Sequence, residues 1–104
     1  MPDSITSIGD YAFYGCTGLT SIILPDSITN IEECAFFVCT GLTSISIGNS
    51  VTSIGEGAFC GCTALTSISF TGTTTQWEAV SCAPDYMETV PATVIHCSDG
   101  DVSI

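Results

Sequence analysis

Apolar residues recur along residues 2–70 in one spacing, repeated three times without insertion or deletion. The three lines are Pro2–Leu24, Pro25–Ile47 and Gly48–Phe70, each 23 residues long. Eight positions are apolar in every copy. They are Ile5/Ile28/Val51, Ile8/Ile31/Ile54, Ala12/Ala35/Ala58, Phe13/Phe36/Phe59, Cys16/Cys39/Cys62, Leu19/Leu42/Leu65, Ile22/Ile45/Ile68 and Leu24/Ile47/Phe70. A unit this short cannot bury its apolar face alone, so it stacks on its neighbours. The spacing therefore predicts a solenoid in which each column repeats at about 4.8 Å, the distance between paired strands.

Within each copy the pattern predicts two strand-like stretches. The longer, Leu19–Leu24, is apolar at its first, fourth and sixth places, as in leucine-rich repeats. The shorter is Ile5–Ile8. Between them, Asp10-Tyr11-Ala12-Phe13 suits one helical or 3₁₀ turn, with its acid near the positive end. Pro2 and Pro25 fall beside strands, where a missing N–H does no harm.

After Phe70 the period stops. Thr71–Thr74 reads as a turn, and Thr75-Gln76-Trp77-Glu78 as a capping box opening a short helix, about Gln76–Ser81. Trp77 and Val80 share one face of that helix and are expected to cover the third coil. Cys82-Ala83-Pro84-Asp85 is expected to end it. Thr93–Cys97 and Asp101–Ile104 flank Ser98-Asp99-Gly100, a hairpin signal. The chain thus reads as an α/β but mostly β solenoid. Residues 2–24, 25–47 and 48–70 form three coils, and 71–104 a closing helix plus hairpin. No matching cover precedes Pro2, so the first coil is expected to fray, to pair with another chain, or to continue a longer array.

The line P-D-S-I-T-x-I-x-x-x-A-F-x-x-C-T-G-L-T-S-I, at Pro2, at Pro25 and slightly degraded at Gly48, resembles the BspA-like leucine-rich repeat. The tail from Gly72 to Ile104 is similar to a segment that follows such repeats. The resemblance implies a right-handed solenoid, a place on a microbial cell surface, and adhesion or protein binding. It brings no catalytic residues.

Charge narrows the partners. There is no Lys and no Arg against 11 Asp plus Glu, giving a net charge of −11. A chain without a basic residue cannot neutralise phosphates, which excludes nucleic acid, and anionic membrane surfaces repel it. Basic proteins are favoured. Residues 1–4 have neither the basic nor the apolar region of a signal peptide, and no run is long enough to span a membrane.

Candidate chemistry is sparse. Seven cysteines are present, but Cys16, Cys39 and Cys62 form a repeat column and read as small buried hydrophobes rather than a metal or redox site. A Cys82–Cys97 disulfide would close a loop of useful size, and is weighed against two free thiols. His96 and Cys97 point to opposite faces of a strand and form no dyad. Asp10, Glu33 and Glu56 form an acidic column, a weak Ca²⁺ candidate set against a solvated edge; no EF-hand loop is present. With no nucleophile, phosphate-loop or metal motif and no cationic clamp, the chain reads as non-catalytic.

What remains is a hydroxyl-lined sheet. Thr20, Thr43 and Thr66, Ser21, Ser44 and Ser67, and Ile23, Ser46 and Ser69 form three columns on the longer strands. These nine are the expected contact residues for a protein partner. The competing expectation is a self-assembling subunit that stacks through its uncovered first coil.

Overall fold

The computed structural model describes residues 4–104; Pro2 lies outside them. The chain winds through about four turns of a β-solenoid. Each turn contributes a short strand to one parallel sheet and a longer strand to another. The short strands are β1 (Ser7–Ile8), β3 (Asn30–Ile31), β5 (Ser53–Ile54) and β7 (Ser81–Cys82), neighbours in that order. The longer ones are β2 (Ser21–Ile23), β4 (Ser44–Ile47), β6 (Ser67–Phe70) and β8 (Val94–Cys97), with β9 (Gly100–Ser103) added antiparallel at the edge.

Register follows the sequence period. Ser21, Ser44 and Ser67 lie side by side, as do Ile22, Ile45 and Ile68. The apolar columns consequently fill one interior. Ile28, Phe36, Cys39, Leu42, Phe59, Cys62 and Leu65 are fully buried. The Phe13, Phe36 and Phe59 rings stack nearly parallel, with centroids 5.1 and 5.3 Å apart. That offset geometry adds to the area they bury.

The segment between the two strands differs from the expected helical turn. In the first coil, Tyr11, Phe13 and Gly15 donate their N–H to Glu33, Ala35 and Phe37 carbonyls of the next coil. Ala12, Tyr14 and Cys16 donate three residues back instead. Half of the amides are therefore spent between coils, and a helix has none to spare. The alternation requires left-handed residues: Tyr11, Cys34 and Gly57 in one column, with φ from 53 to 64°, and Gly15, Val38 and Gly61 in the next, with φ from 52 to 82°.

The cysteine column has a role that hydrophobicity alone does not describe. The Cys39 thiol donates to the Phe13 carbonyl at 2.9 Å, and that of Cys62 to the Phe36 carbonyl at 3.0 Å. A small side chain with one weak donor thus adds a second bond to a turn carbonyl that already accepts the Cys16 or Cys39 N–H.

The tail is a fourth coil with an insertion. β7 pairs with β5, matching Ser81 to Ser53, and β8 pairs with β6, matching His96 to Ser69. The inserted element is helix α1 (Thr74–Glu78). Its N-cap is Thr73, boxed with Gln76, two residues before the expected Thr75 and Glu78 pair. Two contacts set this earlier start: Trp77 packs edge-on against Phe70 at 5.2 Å, and Asp99 Oδ1 accepts the Thr74 N–H at 2.8 Å. Cys82 is a strand residue rather than part of a helix stop, because Ser81 and Ala83 donate to the Thr52 and Ile54 carbonyls. All seven cysteines, Cys82 and Cys97 included, are free thiols.

Candidate interaction surface

Alternation along the longer strands divides each one between interior and exterior. In β4 and β6, Ile45, Ile47, Ile68 and Phe70 are buried, while Ser44, Ser46, Ser67 and Ser69 are half-buried on the other side. Two strips of small polar residues therefore run across the outside of the sheet. One carries Ser21, Ser44 and Ser67; the other carries Ile23, Ser46 and Ser69. Ile23 is 78% exposed, the most open large hydrophobic among the described residues.

Both strips continue past the residues expected from the sequence. Ser69 pairs with His96, and His96 with Asp101. The second strip thus runs Ile23, Ser46, Ser69, His96, Asp101. His96 Nδ1 and Asp101 Oδ1 are 2.9 Å apart, with both side chains about half exposed. Val94 and Ser103, paired across β8 and β9, extend the first strip. A signal for this extension exists in the sequence: Ala92, Thr93 and Ile95 match the polarity of Leu65, Thr66 and Ile68, with Val94 in the place of Ser67. A lengthened spacing hides it.

The threonine column is only partly available. Thr43 Oγ1 donates to the Thr20 carbonyl at 2.9 Å, the bond that Thr29 and Thr52 also make to Thr6 and Thr29 on the short-strand side. That proton ties one coil to the next. Thr43 and Thr66 also give their N–H to the threonine carbonyl one coil before. The serines of β4 and β6 have no side-chain partner of this kind among the described residues, so their hydroxyls are the ones open to a ligand.

The other singled-out groups are not assembled into a reactive site. Asp10, Glu33 and Glu56 are exposed at successive coils, and no group of three His, Cys, Asp or Glu among the described residues is close enough to hold a metal ion. Burial pushes the Cys62 thiol up to about 12, with Cys39 beside it adding to the rise. Burial raises the Cys39 thiol as well. Neutral thiols are poor nucleophiles. Tyr86 is raised to about 12, first by burial and then by the Cys82 thiol.

A parallel solenoid of this period defines a leucine-rich repeat. The chain belongs to the BspA-type leucine-rich repeat family, whose model matches residues 1–90 in 6 copies. It is also similar to a leucine-rich cell surface protein from Faecalibacterium prausnitzii A2-165, known from a crystal structure. Identity is 43% and the TM-score 0.76, over 78% of this chain and 21% of that one. The chain therefore spans about a fifth of that protein's length. No curated protein matches it. Leucine-rich repeats typically bind proteins, and the family points to a protein-interaction or surface role. No helix among the described residues is long and apolar enough to cross a membrane.

Proposed function

We propose that the chain is a non-catalytic protein-interaction module, adhesive in its setting, that meets its partner through the outer face of the β2–β9 sheet. The observation that carries this reading is the unbroken in-register strip from Ile23 through Ser46 and Ser69 to His96 and Asp101. Small hydroxyl side chains on a regular sheet leave a flat surface with evenly spaced donors and acceptors. Ile23 at one end supplies an apolar anchor, and the His96–Asp101 pair supplies polarity at the other. The residues in contact are Thr20, Ser21, Ile23, Thr43, Ser44, Ser46, Thr66, Ser67 and Ser69, joined by His96 and Asp101.

Size limits what one chain does. Five strands at about 4.8 Å spacing and four residues at about 3.3 Å enclose roughly 250 Å². A stable interface needs about 800 Å² per partner. Contact through this face alone is weak, and strength comes from many coils or many copies in an array. A cell-surface location suits such a reading, and the similar Faecalibacterium protein is itself a cell surface protein. We propose also that the coils wind to the right, the hand of nearly all parallel crossovers. In this reading residues 2–70 carry the three regular repeats, and 71–104 add the fourth coil, with α1 and the β8–β9 hairpin closing the array.

The test is adhesion of beads bearing the chain to surfaces coated with extracellular matrix proteins. Ser46→Gln with Ser69→Gln is expected to abolish binding to the coats that native beads hold, while Ser53→Gln on the short-strand sheet leaves it intact. Equal loss in both, or in neither, removes the sheet face from the account.

A second reading is favoured by one observation. Phe13, Cys16, Leu19 and Ile22 of the first coil are only partly buried, whereas their counterparts in the second coil are buried. A subunit that stacks through this coil would cover them. Light scattering during size-exclusion chromatography separates the two. A monomer at micromolar concentration opposes assembly, and an oligomer lost on Ile5→Asp supports it. No cofactor is proposed: Asp10, Glu33 and Glu56 act as a solvated edge, and calorimetry at millimolar Ca²⁺ is expected to register no binding.

A further inference from the structure

At the fourth coil the stack opens into a groove of about 810 Å³. Its apolar lining includes Trp77, Val80, Tyr86, Met87, Val102 and Ile104. Three carboxylates, Glu78, Asp85 and Glu88, stand on the same groove. One of them is committed to the fold: Asp85 Oδ1 accepts the Gly57 N–H at 3.1 Å, replacing the backbone carbonyl that Glu33 and Glu56 offer to Tyr11 and Cys34. Glu78 and Glu88 are exposed. The chain has no Lys or Arg to offset them, and the hydrogen-bonded His96–Asp101 pair is not part of the lining.

We propose that this groove docks a basic amphipathic segment of another protein, with apolar side chains seated between Trp77, Met87 and Ile104 and Lys or Arg side chains against Glu78 and Glu88. An apolar trough with a single sign of charge beside it selects a ligand that is apolar on one face and cationic around it. The same charge disfavours a second copy as the occupant. Another copy brings a net charge of −11 and no cation, placing like charge against like at the mouth of the groove. Ser44, Ser46, Ser67 and Ser69 are not part of the lining, so the site meets the extended first strip only at Ser103 and does not depend on the serines of β4 and β6.

Trp77 is the only tryptophan in the chain and lines the groove, so its emission reports directly on occupancy. The intact chain is titrated with a synthetic amphipathic peptide of about 12 residues built from Lys and Leu. A saturable change in Trp77 emission is expected. Affinity is expected to fall roughly tenfold in Glu78→Gln with Glu88→Gln, two exposed positions whose change spares the fold, and similarly in about 0.5 M NaCl. A Lys and Ser peptide is expected to leave the emission unchanged, and the Ser46→Gln with Ser69→Gln chain to bind as the native chain does. The proposal is overturned by a Lys and Ser peptide that binds equally, by undiminished affinity in the Gln variant, or by no emission change with the Lys and Leu peptide. Concentration-dependent self-association of the chain alone that itself shifts Trp77 emission would assign the groove to a second copy and also overturn it.

Discussion

At the scale of single residues, the turn columns impose the sharpest demands. Gly61 adopts φ +82°, and a Cβ there would lie 2.7 Å from Val38 Cγ1 and 3.2 Å from Val38 Cα. Gly61→Ala combines a backbone penalty of about 1–2 kcal/mol with that clash. It is expected to destabilise the chain by more than about 1 kcal/mol in urea unfolding. Substitution at Gly18, where a Cβ meets nothing within 4 Å, serves as the control and is expected to be near neutral. The buried thiols make a second demand. Cys62 stays protonated to about 12 in the folded chain but ionises near 9.0 when exposed. The folded state therefore holds more protons between those values, and stability falls as pH rises through that window. The slope approaches about 1.4 kcal/mol per pH unit for such a group. Tyr86, raised from 10.0 to about 12, acts in the same direction. Urea midpoints measured from pH 8 to 11 are expected to drop above pH 9, and Cys62→Ala is expected to flatten the upper part of that curve.

Elements differ by how many neighbours they have. Phe36 lies between Phe13 and Phe59 and is wholly buried, while Phe13 has a ring on one side only among the described residues. Phe36→Ala is expected to cost about 3–5 kcal/mol and Phe13→Ala about 1–2 kcal/mol, measured by chemical denaturation. Comparable losses would mean that the first coil is covered as fully as the second. The three repeats were legible in the sequence because identical spacing leaves no freedom of register: Ile22, Ile45 and Ile68 had to align once Cys16, Cys39 and Cys62 did. The turn was not legible. Asp10-Tyr11-Ala12-Phe13 carries a plausible helical composition, and nothing local says that Tyr11 and Phe13 N–H groups are taken by the next coil. The fourth coil was not legible for a different reason. Its strand residues Ser81-Cys82 keep the polar–apolar order of Ser53-Ile54 and Ile95 matches Ile68, but Val94 replaces the serine of the earlier copies and α1 displaces the strands from the 23-residue beat. An outer face made of Ser44, Ser46, Ser67 and Ser69 was legible too, because strand alternation alone sends those side chains outward. Its extension through His96 and Asp101 depended on the displaced coil.

For the whole molecule, charge and stacking act against each other. Eleven acids with no Lys or Arg give a surface of one sign, whose self-repulsion opposes the compact state. Salt shortens the Debye length from about 30 Å at 0.01 M to about 8 Å at 0.15 M. The thermal midpoint is therefore expected to rise with NaCl over that range, and a midpoint indifferent to salt would remove charge repulsion from the balance. Stacking depends in turn on residues one coil apart lying side by side, and on the tail rejoining the stack as its fourth turn. Nuclear Overhauser contacts in a labelled sample measure this directly. Contacts linking Ile45 to Ile68 and Ser69 to His96, together with Phe36 ring contacts to both Phe13 and Phe59, are the predicted result. A spectrum in which Ile45 meets Ile68 but His96 has no contact with β6 would contradict the four-turn architecture and the extended face built on it.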